Sequence, residues 1–120
     1  MATLKPTLTL ISSDATSDAL SITLTDILTI GEPSINMSRV DVTTGAATEL
    51  IAAAVAVRCY IYIKNMDASN AINVRMVDDS VFSELDGGEF MFFPCKASTG
   101  VEVIALSATT EVEYGFWKVA

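Results

Sequence analysis

Apolar residues in this chain recur at every second position, in runs of five to nine residues separated by short turn-forming stretches. A repeat of two belongs to a strand that buries one face, and a helix cannot bury such a pattern. In residues 19–25, Leu20, Ile22 and Leu24 point one way, and Ser21, Thr23 and Thr25 the other. In residues 58–64, Cys59, Ile61 and Ile63 oppose Arg58, Tyr60, Tyr62 and Lys64. Ile72, Val74 and Met76 alternate with Asn73 and Arg75. In the last run, Val112, Tyr114 and Phe116 share the predicted core face, and Glu111, Glu113, Gly115 and Trp117 share the outer one. Short strands spaced by turns predict an all-β chain, an antiparallel β-sandwich or jelly roll.

Other segments are less regular. Leu4, Leu8 and Leu10 alternate with Thr3, Lys5, Thr7 and Thr9, but Pro6 interrupts them. A proline confines such a run to an edge strand or an extended arm, expected over residues 1–12. Ile27, Leu28 and Ile30 extend the next strand past a bend, and residues 31–34 end it. A weaker strand is expected over residues 35–42. The alanine-rich residues 46–57 predict a short strand near 48–52, a loop, and then a long strand from about 56 to 65. A helical turn is the alternative there. Residues 65–70 and Asp86-Gly87-Gly88 predict hairpin turns, the glycines supplying positive φ. The strand after the second turn, "EFMFFP", is apolar on both faces. One face is expected against the core and the other against a second sheet or another subunit.

At 120 residues the chain has the length of one domain, expected to span residues 1–120. Hydrophobic residues make up 51% and charged residues 18%, too apolar for disorder and rich for a free monomer. The net charge of -8, with no Lys/Arg cluster, argues against direct binding of nucleic acid or an anionic membrane surface. No apolar stretch has the length of a membrane helix, and the first residues do not form a secretory leader. Cys59 and Cys95 lack metal-ligand spacing; they read as buried thiols or as one disulfide.

The chain has no histidine, which removes the commonest general base and every Ser–His or Cys–His pair. Gly87-Gly88 lacks the spacing, lysine and helix of a phosphate loop. Asp78, Asp79 and Asp86 form the sole candidate calcium set, because calcium takes clustered carboxylate oxygens. Solvated turn residues are the favoured reading of them, and the calcium site is the weaker alternative. No cofactor and no catalysis are expected. Contact residues are expected on three elements: Leu4, Leu8 and Leu10 of the N-terminal arm, the face bearing Arg58, Tyr60 and Tyr62, and Trp117. Trp117 fits either a place under a loop or an anchor in a subunit contact.

From Tyr60 onward the chain resembles small structural proteins of tailed bacteriophages, including those of marine and cyanobacterial hosts. The order is "YIYIKN" (60–65), "DASN" (67–70), a β-branched strand, "LDGGE" (85–89), "FMFFP" (90–94) and a closing "VEYGFW". The usual Pro-Gly of the fourth motif is Asp86-Gly87 here. The resemblance implies a sandwich or jelly-roll subunit, often trimeric, carried on a virion as capsid decoration, fibre module or tail part.

The leading expectation is therefore a virion structural protein made in the host cytoplasm. In its most concrete form it is a homotrimeric decoration, or cement, protein that binds the major capsid protein and stabilises the shell. The arm would then add a strand to a neighbour's sheet. The alternatives are a tail or fibre protein that binds a host receptor through residues 65–70 and 96–100, and a carbohydrate- or calcium-binding β-sandwich module.

Overall fold

The computed structural model describes residues 2–31, 37–78 and 80–120, and among these every regular element is a strand. The expected start of a strand at Ile35 and most of the predicted turn at residues 31–34 lie outside the described residues. Two strand pairs come first: β1 (Ala2–Leu4) with β4 (Leu28–Ile30), and β2 (Thr7–Ser12) with β3 (Leu20–Thr25). Eight strands follow: β5 (Ser38–Val42), β6 (Thr48–Ile51), β7 (Cys59–Asn65), β8 (Ile72–Met76), β9 (Val81–Leu85), β10 (Phe90–Cys95), β11 (Val101–Ala105) and β12 (Thr110–Lys118). The strand expected near 48–52 is present and no helix replaces it. The long strand begins at Cys59 rather than near residue 56.

The eight strands form two antiparallel sheets, a front sheet in the order β10-β7-β12-β5 and a back sheet in the order β6-β11-β8-β9. Their pairing is nested: β8 with β9, β7 with β10, β6 with β11, β5 with β12. Nested pairs are what a single long hairpin makes when it is rolled up, so the sandwich has jelly-roll topology.

This topology corrects two expectations. The turns at 65–70 and 86–88 do not close hairpins. Each carries the chain from one sheet to the other, because β7 and β10 lie in the front sheet and β8 and β9 in the back one. Local turn chemistry reverses the chain but does not say which sheet receives it. At residues 86–89 the amide of Glu89 donates to the carbonyl of Asp86 at 3.0 Å, and Gly88 has φ of 82°. Positive φ at the third residue marks a type II turn, which a glycine fits without steric cost.

The core lies between the sheets. Ile61, Ile63, Val42 and Val112 of the front sheet meet Ile72, Val74, Val101 and Val103 of the back sheet, all essentially without solvent contact. Burying each such side chain contributes roughly 1.5–3 kcal/mol. The predicted inward and outward faces of residues 58–64 and 111–117 are observed: Cys59, Ile61, Ile63 and Val112 are in the core, with Tyr114 and Phe116 packed against it. Phe82 of β9 and Phe93 of β10 meet edge to face, with ring centres 5.6 Å apart, and close one side of the sandwich. Cys59 and Cys95 are cross-strand partners and both are free thiols. Burial, and then the neighbouring Cys95, push the Cys59 thiol up from its ordinary pKa. Cys59 is therefore expected to resist alkylation in the native protein and to react at once in denaturant, as thiol titration would show.

The corner at residues 65–70 is tied by two side chains. Asp67 Oδ1 accepts from the amides of Ser69 (2.8 Å) and Asn70 (3.0 Å). These backbone bonds, that of Asn70 first, hold the Asp67 carboxyl below its ordinary pKa. A depressed carboxylate contributes stability above its unfolded pKa of about 3.9, and the contribution is lost as pH falls through the folded value. Asp67→Asn keeps an acceptor but cannot titrate. The melting temperature of wild type should therefore fall more than that of D67N between about pH 5 and pH 2, which thermal melts would show.

Candidate functional site: an apolar ribbon beside an aromatic sheet face

The first four strands build one element. Leu4 faces Leu28 and Thr7 faces Thr25, so a single antiparallel register runs through both pairs. The ladder is interrupted at Lys5-Pro6 and Asp26-Ile27. There the Asp26 amide donates to the Pro6 carbonyl at 3.2 Å, and Pro6 has no N–H to return the bond. The result is a two-stranded ribbon whose ladder is interrupted near its root. The root is held by the sandwich. Ile30 is buried and bridges to Val119, Gly31 donates to Lys118 O at 2.9 Å, and Ala120 donates to Thr29 O.

Beyond the interruption the ribbon leaves the body. Only Ser12 and Leu20, at its far end, are half-buried among the residues of β2 and β3. The radius of gyration, 15.5 Å, exceeds the roughly 13.6 Å expected of a compact chain of this length. The arm expected over residues 1–12 is present as one strand of a hairpin, and residues 20–30, expected in the body, are corrected to its second strand. Strand alternation gives it two unlike faces. Leu8, Leu10, Leu20, Ile22 and Leu24 share one, and Thr7, Thr9, Ser21, Thr23 and Thr25 the other, with Ile11 the apolar exception. Leu8, Leu10 and Leu24 are 45%, 44% and 60% exposed.

The outward face of the front sheet is divided. On one side, Arg39 Nε pairs with Glu113 Oε2 at 3.1 Å and its Nη1 with Glu111 Oε1 at 3.3 Å. Glu113 also accepts from the Tyr62 hydroxyl at 3.2 Å. Burial first, and then this carboxylate, push the Tyr62 pKa up, so its proton stays on at neutral pH. On the other side the face is aromatic. Tyr60 stacks on Phe92 with centroids 6.1 Å apart, and the Arg58 guanidinium lies over the Tyr60 ring at 5.3 Å. The Trp117 indole lies along its own strand against Gly115, where an added Cβ would come within 3.4 Å of the ring and 2.7 Å of Met37 Sδ.

Ribbon and sheet face meet in a groove of about 890 Å³. Leu4, Leu8 and Leu24 line it from the ribbon, with Lys5 and Asp26 at the interruption, and Tyr62, Phe90, Phe92 and Trp117 line it from the sheet. Four of the seven expected contact residues, Leu4, Leu8, Tyr62 and Trp117, therefore come together. Leu10 lies farther along the same ribbon face. Arg58 is exposed, but Tyr60 is only 9% exposed beneath Arg58 and Phe92. As a contact residue Tyr60 is corrected: it supports Phe92. Trp117 is half-buried in the groove wall. Phe90 and Phe92 were missed as site residues. They are the outward half of "EFMFFP", left 65% and 37% exposed because no second sheet of this chain covers them.

The calcium set does not assemble. Asp78 follows β8 and accepts from the Ser80 amide at 3.0 Å. Asp86 lies past the other end of the β8–β9 hairpin, where its amide donates to Glu89 Oε1 at 2.7 Å. A five-residue strand, roughly 17 Å, separates them. Asp79 lies outside the described residues, among which no cluster of three metal-ligating side chains occurs. Residues 65–70 and 96–100, the two expected receptor-binding loops, lie at opposite ends of the paired strands β7 and β10.

What the ribbon and the groove offer is contact: apolar walls, one cation and one carboxylate at the rim, and a flat aromatic floor. Comparison with family models, with curated proteins and with solved structures produced no match.

Proposed function

We propose that this chain is a structural subunit that works by covering its apolar ribbon and aromatic sheet face in an assembly, most concretely a homotrimeric decoration protein on the shell of a tailed bacteriophage. The observation that carries the reading is the uncovered ribbon. Four large aliphatic side chains on one face of an isolated hairpin, beside exposed Phe90 and Phe92, are more apolar surface than a monomer keeps without use. A jelly roll suits the reading, since shell proteins are among its frequent users, although a fold by itself does not assign a role. The charge also suits it: an acidic outer surface limits unspecific clustering of copies held at high density.

The test is addition of the purified chain to expanded phage shells. Saturation at a fixed number of copies per capsomer, with a higher disruption temperature, is expected. Absence of binding at saturating protein rejects the decoration role. Binding to host cells with no effect on shells would favour the tail or fibre role instead.

One observation favours a sugar-binding reading. Exposed aromatics do cluster, in the groove, and sugars stack on such rings. Polar groups to orient a sugar are few there, chiefly Lys5 and Asp26. Stabilisation of the chain by an oligosaccharide in a thermal-shift screen, absent in Trp117→Ala, would support it.

A further inference from the structure

We infer that the ribbon is the element that joins copies of this chain: β2 of one copy pairs antiparallel with β3 of the next, and three ribbons close into a six-stranded ring. The inference rests on the trimeric part of the reading above and not on attachment to a shell.

The backbone argues for strand pairing. Among the described residues β2 and β3 pair only with each other, so each has an open edge of unpaired N–H and C=O groups. Native proteins protect such edges with charges, prolines, bulges or very short strands. Here both strands have six residues, in an unbroken register. Neither "TLTLIS" nor "LSITLT" contains a charge, a proline or a glycine. The nearest charged residues, Lys5, Asp14, Asp18 and Asp26, all lie at the root or the tip. An edge this uniform fits another uncharged strand of equal length, and the ribbon itself supplies one. Between chains of net charge -8, contact through the uncharged segment also avoids like-charge repulsion.

The side chains argue for a closed ring. A lone two-stranded hairpin is marginal in water, and three or more strands with an apolar face are needed for independent stability. Two ribbons would make a four-stranded sheet whose edges and apolar face stay open. Three arranged around an axis remove every edge and turn Leu8, Leu10, Leu20, Ile22 and Leu24 inward. The threonine face is then left to water. Side chains fill the interior of a ring of about eight strands, and much larger rings leave a channel, so the six strands of three ribbons form a ring small enough for Leu and Ile to close.

The experiment is the solution mass of the full chain, by light scattering after gel filtration, for wild type, for Leu10→Lys combined with Ile22→Lys, and for Ile22→Val. Leu10 and Ile22 face each other across the ribbon. Wild type and I22V are expected at three times the 12.8 kDa chain mass. The double lysine variant is expected at one chain mass, with the circular dichroism and melting of its sandwich retained. Monomeric wild type overturns the inference, as does a double variant that keeps the wild-type mass. A dimer that the lysines dissociate overturns the ring. If the double variant fails to fold, hydrogen exchange on wild type decides: outward amides of β2 and β3 should be protected at assembling concentration, and fast exchange there overturns the pairing. A trimer that ignores phage shells would sink the decoration role alone, and a monomer that binds them would sink the ring alone.

Discussion

Asn65→Asp should destabilise the protein at neutral pH by about 3–5 kcal/mol, the range for a buried charge left without compensation. Asn65 has no solvent exposure. Its Nδ2 donates to the carbonyls of Asn70 (2.7 Å) and Leu85 (3.0 Å), and its Oδ1 accepts from the Asp67 amide at 2.9 Å. One side chain thereby ties the end of β7 to the 65–70 corner and to the last residue of β9 in the opposite sheet. An aspartate can still accept from Asp67, but its second oxygen would face two carbonyl oxygens. Burial beside acceptors raises the folded pKa of that carboxyl above the unfolded value of about 3.9. Stability is then retained below the unfolded pKa and lost as pH rises through the folded one. The melting temperature of N65D should fall by ~10–20 °C at pH 7 and by clearly less near pH 3. Asn65→Ala removes the same bonds without adding charge, so its loss, roughly 2–4 kcal/mol, should not follow that pH trend. Equal melting of N65D and wild type at pH 7 would show that Asn65 does not hold the corner.

Asn65 also marks where sequence reasoning stops. It sits in the same odd register as Cys59, Ile61 and Ile63, and that parity was the signal that its side chain points inward. Its residue type signals a turn as well, so the expected strand of residues 56–65 and the expected turn of residues 65–70 share it. Both signals were true, because the residue ends a strand and starts a corner. The faces of β7 and β12 were legible for a simpler reason: Ile61 against Tyr62, and Val112 against Glu113, differ in hydropathy at every step. The ribbon was not legible. Leu20, Ile22 and Leu24 alternate as cleanly as Ile72 and Val74, yet the first set is largely solvent-facing in this chain and the second is core. Period two reports that one face seeks cover. It does not report whether the cover is a sheet of the same chain.

The groove was half legible for the same reason. "EFMFFP" announced two apolar faces, and Met91 and Phe93 do pack on the core. The outward pair, Phe90 and Phe92, faces Tyr62 and Trp117 through strand pairings that no local pattern encodes. Pro6 was legible as an interruption but not as a gap in a hairpin ladder, because the register that continues past it involves Asp26, twenty residues away.

Gly87→Ala is expected to cost more than Gly88→Ala, although the two residues are adjacent in one turn. Gly88 has φ of 82° and open space around it. An alanine there meets only the left-handed backbone penalty, about 1–2 kcal/mol. Gly87 has ordinary φ but no room. A Cβ would lie 2.5 Å from both the carbonyl carbon and the oxygen of Ala68, and 2.7 Å from the amide nitrogen of Ser69. Those atoms are backbone, so no rotamer change relieves the contact. The loop that carries them is held by Asp67 and Asn65, and Gly88 N donates to Asn65 O at 3.1 Å. Moving the loop to admit a methyl group would break that set, so G87A should lose roughly 3–4 kcal/mol, the sum of overpacking and a disrupted bond network. Denaturant melts of both variants give the comparison. A double variant with Asn65→Ala supplies the stronger check. Once Asn65 no longer holds the corner, the loop can yield to the methyl group, and the two losses should add to less than their sum by about 1 kcal/mol or more. Full additivity would mean that Gly87 and Asn65 act on separate parts of the fold, against the shared corner seen here. A G88A loss larger than that of G87A would place the constraint in backbone conformation rather than in the close approach of two loops.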